Sequence, residues 1–335
     1  MEVWTARGYS TMRNNLWSVV AAFAASAAVA YGGWVYGGEW GSKGSGNGQL
    51  KTPGDVATGR SGNVYVADTA NDRIQFFTAA GSFLGKWGIK GKGDGEFSRP
   101  SGIAVAPNGI VYVADSFNYR IQYFTAIGSF LGVWGQKGTA KGEFRKPAAV
   151  AFAPPDKVYV ADEDNDRVQY FTPNGSFLGM WGLPGIGNGE FKAPSGVAVA
   201  PNGTVYVADS FNHRIQYFTP TGSFLGKWGS AGTGSGQFDT PSGVCVGPDG
   251  TVYVSDTYNF RIQSFTPQGG FLGAWGKRGS GPAQFEYPLG LATDDTGRRL
   301  YVADSVNYRI QYFTYKKSDP AVEPASLGRV KAVFR

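Results

Sequence analysis

Residues 194–229 read PSGVAVAPNGTVYVADSFNHRIQYFTPTGSFLGKWG, and the fold follows from this stretch. Pro201-Asn202-Gly203 and Pro220-Thr221-Gly222 are triplets that favour tight turns. Around them lie four short β-branched and aromatic runs, at 196–200, 204–209, 214–219 and 223–228, each of which reads as a strand. No part of the stretch is long enough, or rich enough in helix formers, to make a helix.

The stretch is one copy of a repeat. Asp-x-x-Asn-x-Arg-(Ile/Val)-Gln occurs six times, beginning at Asp68, Asp115, Asp162, Asp209, Asp256 and Asp304, with a period of 47 residues and a last step of 48. Trp-Gly recurs with it at Trp40, Trp87, Trp134, Trp181, Trp228 and Trp275. This period suits either a propeller blade or a helical HEAT unit, and the Gly-rich, aromatic composition selects the blade. Four strands in each of six units predict an all-β, six-bladed propeller. The sixth unit stops after its third strand near Phe313, while an orphan fourth strand, 34–40, precedes the first unit. Tyr36 and Trp40 fall in the register of Phe224 and Trp228. The N-terminal strand is therefore expected to complete the last blade and hide both edges.

Composition agrees. Of 335 residues 51 are Gly, aromatics make up 15% and charged residues only 17%, which excludes disorder and long helices. One Cys excludes an internal disulfide and one His argues against a multi-histidine metal site. At the start, Arg7 and Arg13 precede an uncharged run at 16–30 that ends Ala28-Val29-Ala30. This reads as a secretory signal peptide over 1–30, too short for a membrane span. The expected organisation is a signal peptide, a propeller over 31–315, and a C-terminal linker and short tail over 316–335. The expected location is outside the cell or in its envelope, as a monomeric propeller.

The residues VYVADSFNHRIQYF at 205–218, with Pro-x-Gly followed by Val, Ile or Leu opening four of the six units, resemble the NHL repeat family. The resemblance implies a propeller. It leaves function open, because the family includes protein-binding and RNA-binding modules, extracellular sensor domains and an amidating lyase.

The recurring Asp and Arg invite a catalytic reading, but a catalytic site needs one copy rather than six. The pairs Asp68–Arg73, Asp115–Arg120, Asp162–Arg167, Asp209–Arg214, Asp256–Arg261 and Asp304–Arg309 are read as clamps on the turn between second and third strands. Asn212, inside one such turn, is expected to take its positive φ.

Function is expected where the blades differ. The turns after the second strand carry Phe117, Tyr119, Phe211, His213, Tyr258, Phe260 and Tyr308, where polar residues are usual, with an acidic gap of Glu163, Asp164 and Asp166 in blade three. The Gly-rich loops of the same face add Lys90, Lys92, Arg99, Lys137, Arg145 and Lys146. Together they are read as a binding face for a protein or polysaccharide partner of anionic character. Residues 31–314 hold 24 basic and 22 acidic side chains, a balance too mild for a nucleic-acid surface.

No constellation suggests a nucleophile or a hard-cation cage. Asp55 is the single acid in a position otherwise Gly or Ala, and Cys245 reads as a small buried residue. A non-catalytic binding or scaffold role with no cofactor or metal is therefore expected. The alternatives are a metal-dependent lyase or hydrolase at the channel mouth, and an extracellular sensor module.

Overall fold

The computed structural model describes residues 30–31 and 33–316. The expected signal peptide, up to residue 29, and the tail from 317 lie outside the described residues. Six antiparallel sheets form the blades of a propeller, five with four strands and one with five. In the unit quoted above the strands are Pro194–Val199, Val205–Asp209, Arg214–Phe218 and Phe224–Trp228. They run in that order from the axis outward.

Side-chain pattern sets this order. The second strand is buried along its whole length, because each blade is covered on both faces by its neighbours. The fourth strand alternates half-buried and exposed residues, as an outer edge should. The first strands carry Gly, Ala, Val and Ser, small enough to let six chains approach one axis. They touch one another in a closed ring around a central channel.

Ring closure follows the register expected from the repeat. Trp34–Trp40 pairs with Arg309–Tyr315, placing Tyr36 opposite Phe313 and Trp40 opposite Ile310. Phe224 and Trp228 stand likewise opposite Phe218 and Ile215. A two-residue strand, Ala30–Tyr31, adds a fifth member outside it.

Adjacent blades are joined by tryptophan on glycine. The indole of Trp87 covers Gly128 in the next blade, whose φ is +91° and where a Cβ would lie 2.6 Å from the ring. The same contact recurs at Trp40–Gly81, Trp134–Gly175, Trp181–Gly222 and Trp228–Gly269. Trp275 faces the blade that holds both chain ends, which has no such turn. There Trp34, buried, fills the place instead.

Candidate functional site

The Asp–Arg pairs hold more than their turn. Asp209 Oδ2 accepts from Arg214 Nε at 2.7 Å, from Asn212 Nδ2 at 2.9 Å and from Gln216 Nε2 at 3.1 Å. The other Arg214 nitrogens reach across to the carbonyls of Ile186, Gly187 and Glu190 in the Gly-rich loop. Asp209 Oδ1 accepts from the Lys192 N–H of the same loop. Arg73, Arg120, Arg167, Arg261 and Arg309 repeat the arrangement on Asp68, Asp115, Asp162, Asp256 and Asp304. Each clamp thus ties the strand-two turn to the long linker entering its blade, which builds one rigid loop face.

The positive φ of these turns falls one residue later than expected. Asn212 instead spends its amide on Asp209 and on the Gly185 carbonyl. His213 takes φ +52°, and Asp72, Tyr119, Asp166, Phe260 and Tyr308 do the same in the other blades. The left-handed residue turns its side chain toward the next blade. Asp72 accepts the Arg99 N–H, Asp166 the Ala193 N–H, and His213 Nδ1 the Thr240 N–H at 3.2 Å. His213 therefore caps a loop.

The aromatics of this face separate into groups. Phe117 and Phe211, each about half exposed (51% and 54%), flank a cavity of 440 Å³ at the channel mouth. Arg99 stacks over Phe117, 5.3 Å from its centroid, and lines the same cavity with Lys146. Tyr119, covered by Lys137, stands with Arg145 in a second groove beside blade three, which the acidic residues 163, 164 and 166 also line. Tyr258 packs edge-on to Tyr287 at 5.0 Å, and Phe260 lies between Tyr287 and Arg278. Tyr308 carries Lys43 over its ring. Lys90 and Lys92 are exposed on the blade-two loop and line neither cavity.

Hydroxyl side chains, Ser101, Ser116, Ser195 and Ser210 among them, line part of a cavity whose wall is otherwise mainly small and apolar. Ser101 and Ser116 hydrogen-bond to each other and lie within reach of the carbonyls of Ala148 and Pro147 in the next blade, as Ser195 and Ser210 do with those of Ser242 and Pro241. With the protons of each pair committed within the wall, the half-buried Ser101 and Ser195 can act toward a ligand as acceptors. In blade three the series is broken: Glu163 stands at the place of Ser116 and pairs with Lys146 at 2.8 Å. Burial pushes the Glu163 carboxyl upward, and the Lys146 ammonium opposes that shift. The recurring Ser after Pro in three units was the available signal for this lining.

Asp55 occupies the channel wall below the mouth. Its Oδ1 accepts the Val56 N–H at 2.8 Å and its Oδ2 the Ile103 N–H of blade two at 3.0 Å. Gly290 in blade six leaves it room, since a Cβ there would overlap the carboxyl. It is half-buried, lining the cavity, and burial raises its pKa to about 7 against the pull of the two N–H donors. Cys245 is buried deeper in the same ring of strands, its thiol pushed up by burial. Among the described residues no three His, Cys, Asp or Glu side chains converge as a metal would require.

Architecture and site define a six-bladed propeller with a cavity of 440 Å³ at its channel mouth. The NHL repeat family model matches residues 97–124, 191–218 and 238–265. No curated protein matches the chain at the level of sequence. Solved structures share its fold. A gluconolactonase from Xanthomonas campestris superposes with a TM-score of 0.59 at 15% identity, over 80% of this chain and 87% of its own. A streptogramin B lyase gives 0.59 at 14%, over 84% and 97%. Virginiamycin B lyase from Staphylococcus aureus gives 0.56 at 15%, over 83% and 94%. These neighbours overturn the expectation that the chain is not an enzyme. That expectation leaned on finding no nucleophile or cation cage in the sequence, yet enzymes are built on this same architecture. The channel here also holds a carboxyl tuned near neutrality.

Proposed function

We propose that the protein is an exported NHL-repeat propeller that binds an anionic, hydroxyl-rich ligand, the end of an acidic polysaccharide, at the channel mouth. One observation carries this reading: Phe117 and Phe211 flank a cavity of 440 Å³ that several serines line, with Arg99 and the Lys146–Glu163 pair beside them. Aromatic faces stack on sugar rings, serine oxygens accept from sugar hydroxyls, and Arg99, which makes no ion pair among the described residues, favours a negative chain. The signal-like segment at 1–30 supports an extracellular or envelope setting, where such polymers occur.

A second reading is favoured by Asp55. A lone half-buried carboxyl whose pKa is raised to about 7 in a concave site can take or give a proton, so the same mouth would suit a hydrolase or lyase. The test is to titrate the purified full chain with acidic and neutral polysaccharides, and to analyse the acidic ones for cleavage. Binding confined to acidic polymers, and lost in Phe117→Ala and Phe211→Ala, supports the first reading. Cleavage abolished by Asp55→Asn supports the second. Indifference to polymer charge and to both phenylalanines refutes the site.

A further inference from the structure

A proline opens or precedes the first strand of every blade, and the residue before it ends the linker that crosses from the preceding blade. Five of these six residues, Thr52, Arg99, Ala193, Thr240 and Tyr287, have φ between +47° and +59°. That region is uncommon for any side chain and most of all for a β-branched one such as Thr240. Three of the five are held there by a side chain of the preceding blade. Asp72 accepts the Arg99 N–H at 2.7 Å, Asp166 the Ala193 N–H at 2.8 Å, and His213 Nδ1 the Thr240 N–H at 3.2 Å. The linker ends without such an acceptor differ among themselves. Thr52 and Tyr287 keep the positive φ, whereas Lys146 abandons it and gives its N–H to Asp162 Oδ1, the clamp carboxylate of its own blade, at 3.2 Å. A held linker end thus has one conformation, and an unheld one has two open to it.

His213 differs in kind from Asp72 and Asp166. A carboxylate accepts hydrogen bonds throughout the neutral range, but an imidazole nitrogen accepts only while it carries no proton, and imidazole changes charge between about pH 5 and pH 8. The His213 side chain is 30% exposed, so solvent can deliver the proton. The Asp239 carboxylate lies 3.8 Å from the same Nδ1, in place to receive the N–H that protonation creates.

We propose that His213 is a pH-sensitive latch on the lip of the channel mouth. Neutral, it holds the Thr240 N–H on blade four. Protonated, it releases that N–H and turns its own to Asp239, so the lip gains the freedom that Lys146 shows. Thr240 and Ser242 both line the cavity, which therefore has a fixed rim above neutrality and a loosened one below it, whatever the mouth binds. The other charged groups around the imidazole are engaged. Asp239 is the one titratable residue of the linker 229–241. On the turn itself Asp209 is paired with Arg214, and in blade five Asp256 with Arg261. Burial pushes the Asp256 carboxyl upward, and its bonds to Asn259, to the Asp239 N–H and to Arg261 oppose that shift. Lys192, on the loop against Phe211, lines the neighbouring groove.

The chain has one His, so its imidazole gives a single set of nitrogen signals. The experiment is NMR of the ¹⁵N-labelled full chain from pH 8 to pH 5. At pH 8 the proton should sit on Nε2, leaving Nδ1 bare. On acidification the Thr240 amide signal should move along the titration curve of the imidazole, and its protection from hydrogen exchange should fall relative to that of Ala193, which Asp166 holds. His213→Asn offers an acceptor that does not titrate, and should leave the Thr240 amide unmoved across the range. A proton on Nδ1 at pH 8, a Thr240 amide that ignores pH in the native chain, or an equal titration in His213→Asn overturns the latch. The last of these outcomes would assign the pH response to Asp239 or Asp256.

Discussion

The indole of Trp34 lies nearly parallel to that of Trp275, with centroids 6.3 Å apart and planes 21° apart. It does for the closing blade what a turn glycine does in the other five, giving the preceding tryptophan a flat surface. Its edge also meets Tyr253 at 5.6 Å. Trp34→Ala should lower the unfolding free energy by about 3–5 kcal/mol, the usual result of emptying a large aromatic site. Leu272→Ala, on an exposed fourth strand, should change it by less than about 0.5 kcal/mol. Urea titration of both variants checks this. Removal of residues 31–40 would expose a full strand edge, and aggregation on a sizing column is the expected outcome.

The clamps are buried ion pairs whose loss leaves a charge without a partner. Arg214→Ala strands Asp209, which has no exposure, and releases three loop carbonyls. A loss of about 3–5 kcal/mol is expected. Arg214→Lys should recover little, because a single ammonium cannot reproduce the fork that spans Asp209 and the loop. Limited proteolysis should then cut within 182–194 while the corresponding loops of other blades resist.

Asp55 gives stability a pH dependence of known sign. Its folded pKa, about 7, lies above the 3.8 of an unburied carboxyl, so the native state holds the proton more tightly. The stabilising contribution is complete below about pH 4 and is lost as pH rises through 7. The stability of Asp55→Asn relative to the native protein should therefore improve between pH 4 and pH 8, by up to about 4 kcal/mol. Chemical denaturation at the two pH values measures it, and an unchanged difference would mean the carboxyl titrates normally.

Phe117 and Phe211 are exposed beside the cavity, whereas Tyr258 rests on Tyr287. Truncating either phenylalanine to Ala should cost about 2 kcal/mol of binding to an acidic polysaccharide and leave the melting temperature unchanged. Tyr258→Ala should do the reverse. Lowered melting temperatures with intact affinity in the phenylalanine variants would make these rings packing elements.

The blades and their closure were legible because both are matters of phase: a 47-residue period shows where a strand is missing and where one is spare. The clamps were legible as pairs but not in their reach. That Arg214 holds Glu190 depends on how a loop folds back, which no local pattern encodes. Asp55 was visible as an odd residue, but its surroundings were not. Its meaning lies in two backbone N–H groups, one of them supplied by another blade, and backbone groups leave no trace in residue identity. The hydroxyl lining was spelled out in the recurring Ser after Pro, yet only the ring brings those copies face to face.

The strand Trp34–Trp40 finds its partner some 270 residues later, at Arg309–Tyr315. On the ribosome it is made first and must wait through the whole synthesis of the ring. Blades can form in turn as they emerge, each stitched to its own linker by its clamp, but the circle stays open until the final strand is released. Until then the newborn chain presents unpaired edges at both ends, the sort of surface that neighbouring copies join. Closure is thus a post-synthetic event whose speed sets how long the molecule is vulnerable, and a circular permutant opened between blades would have to solve the same problem elsewhere.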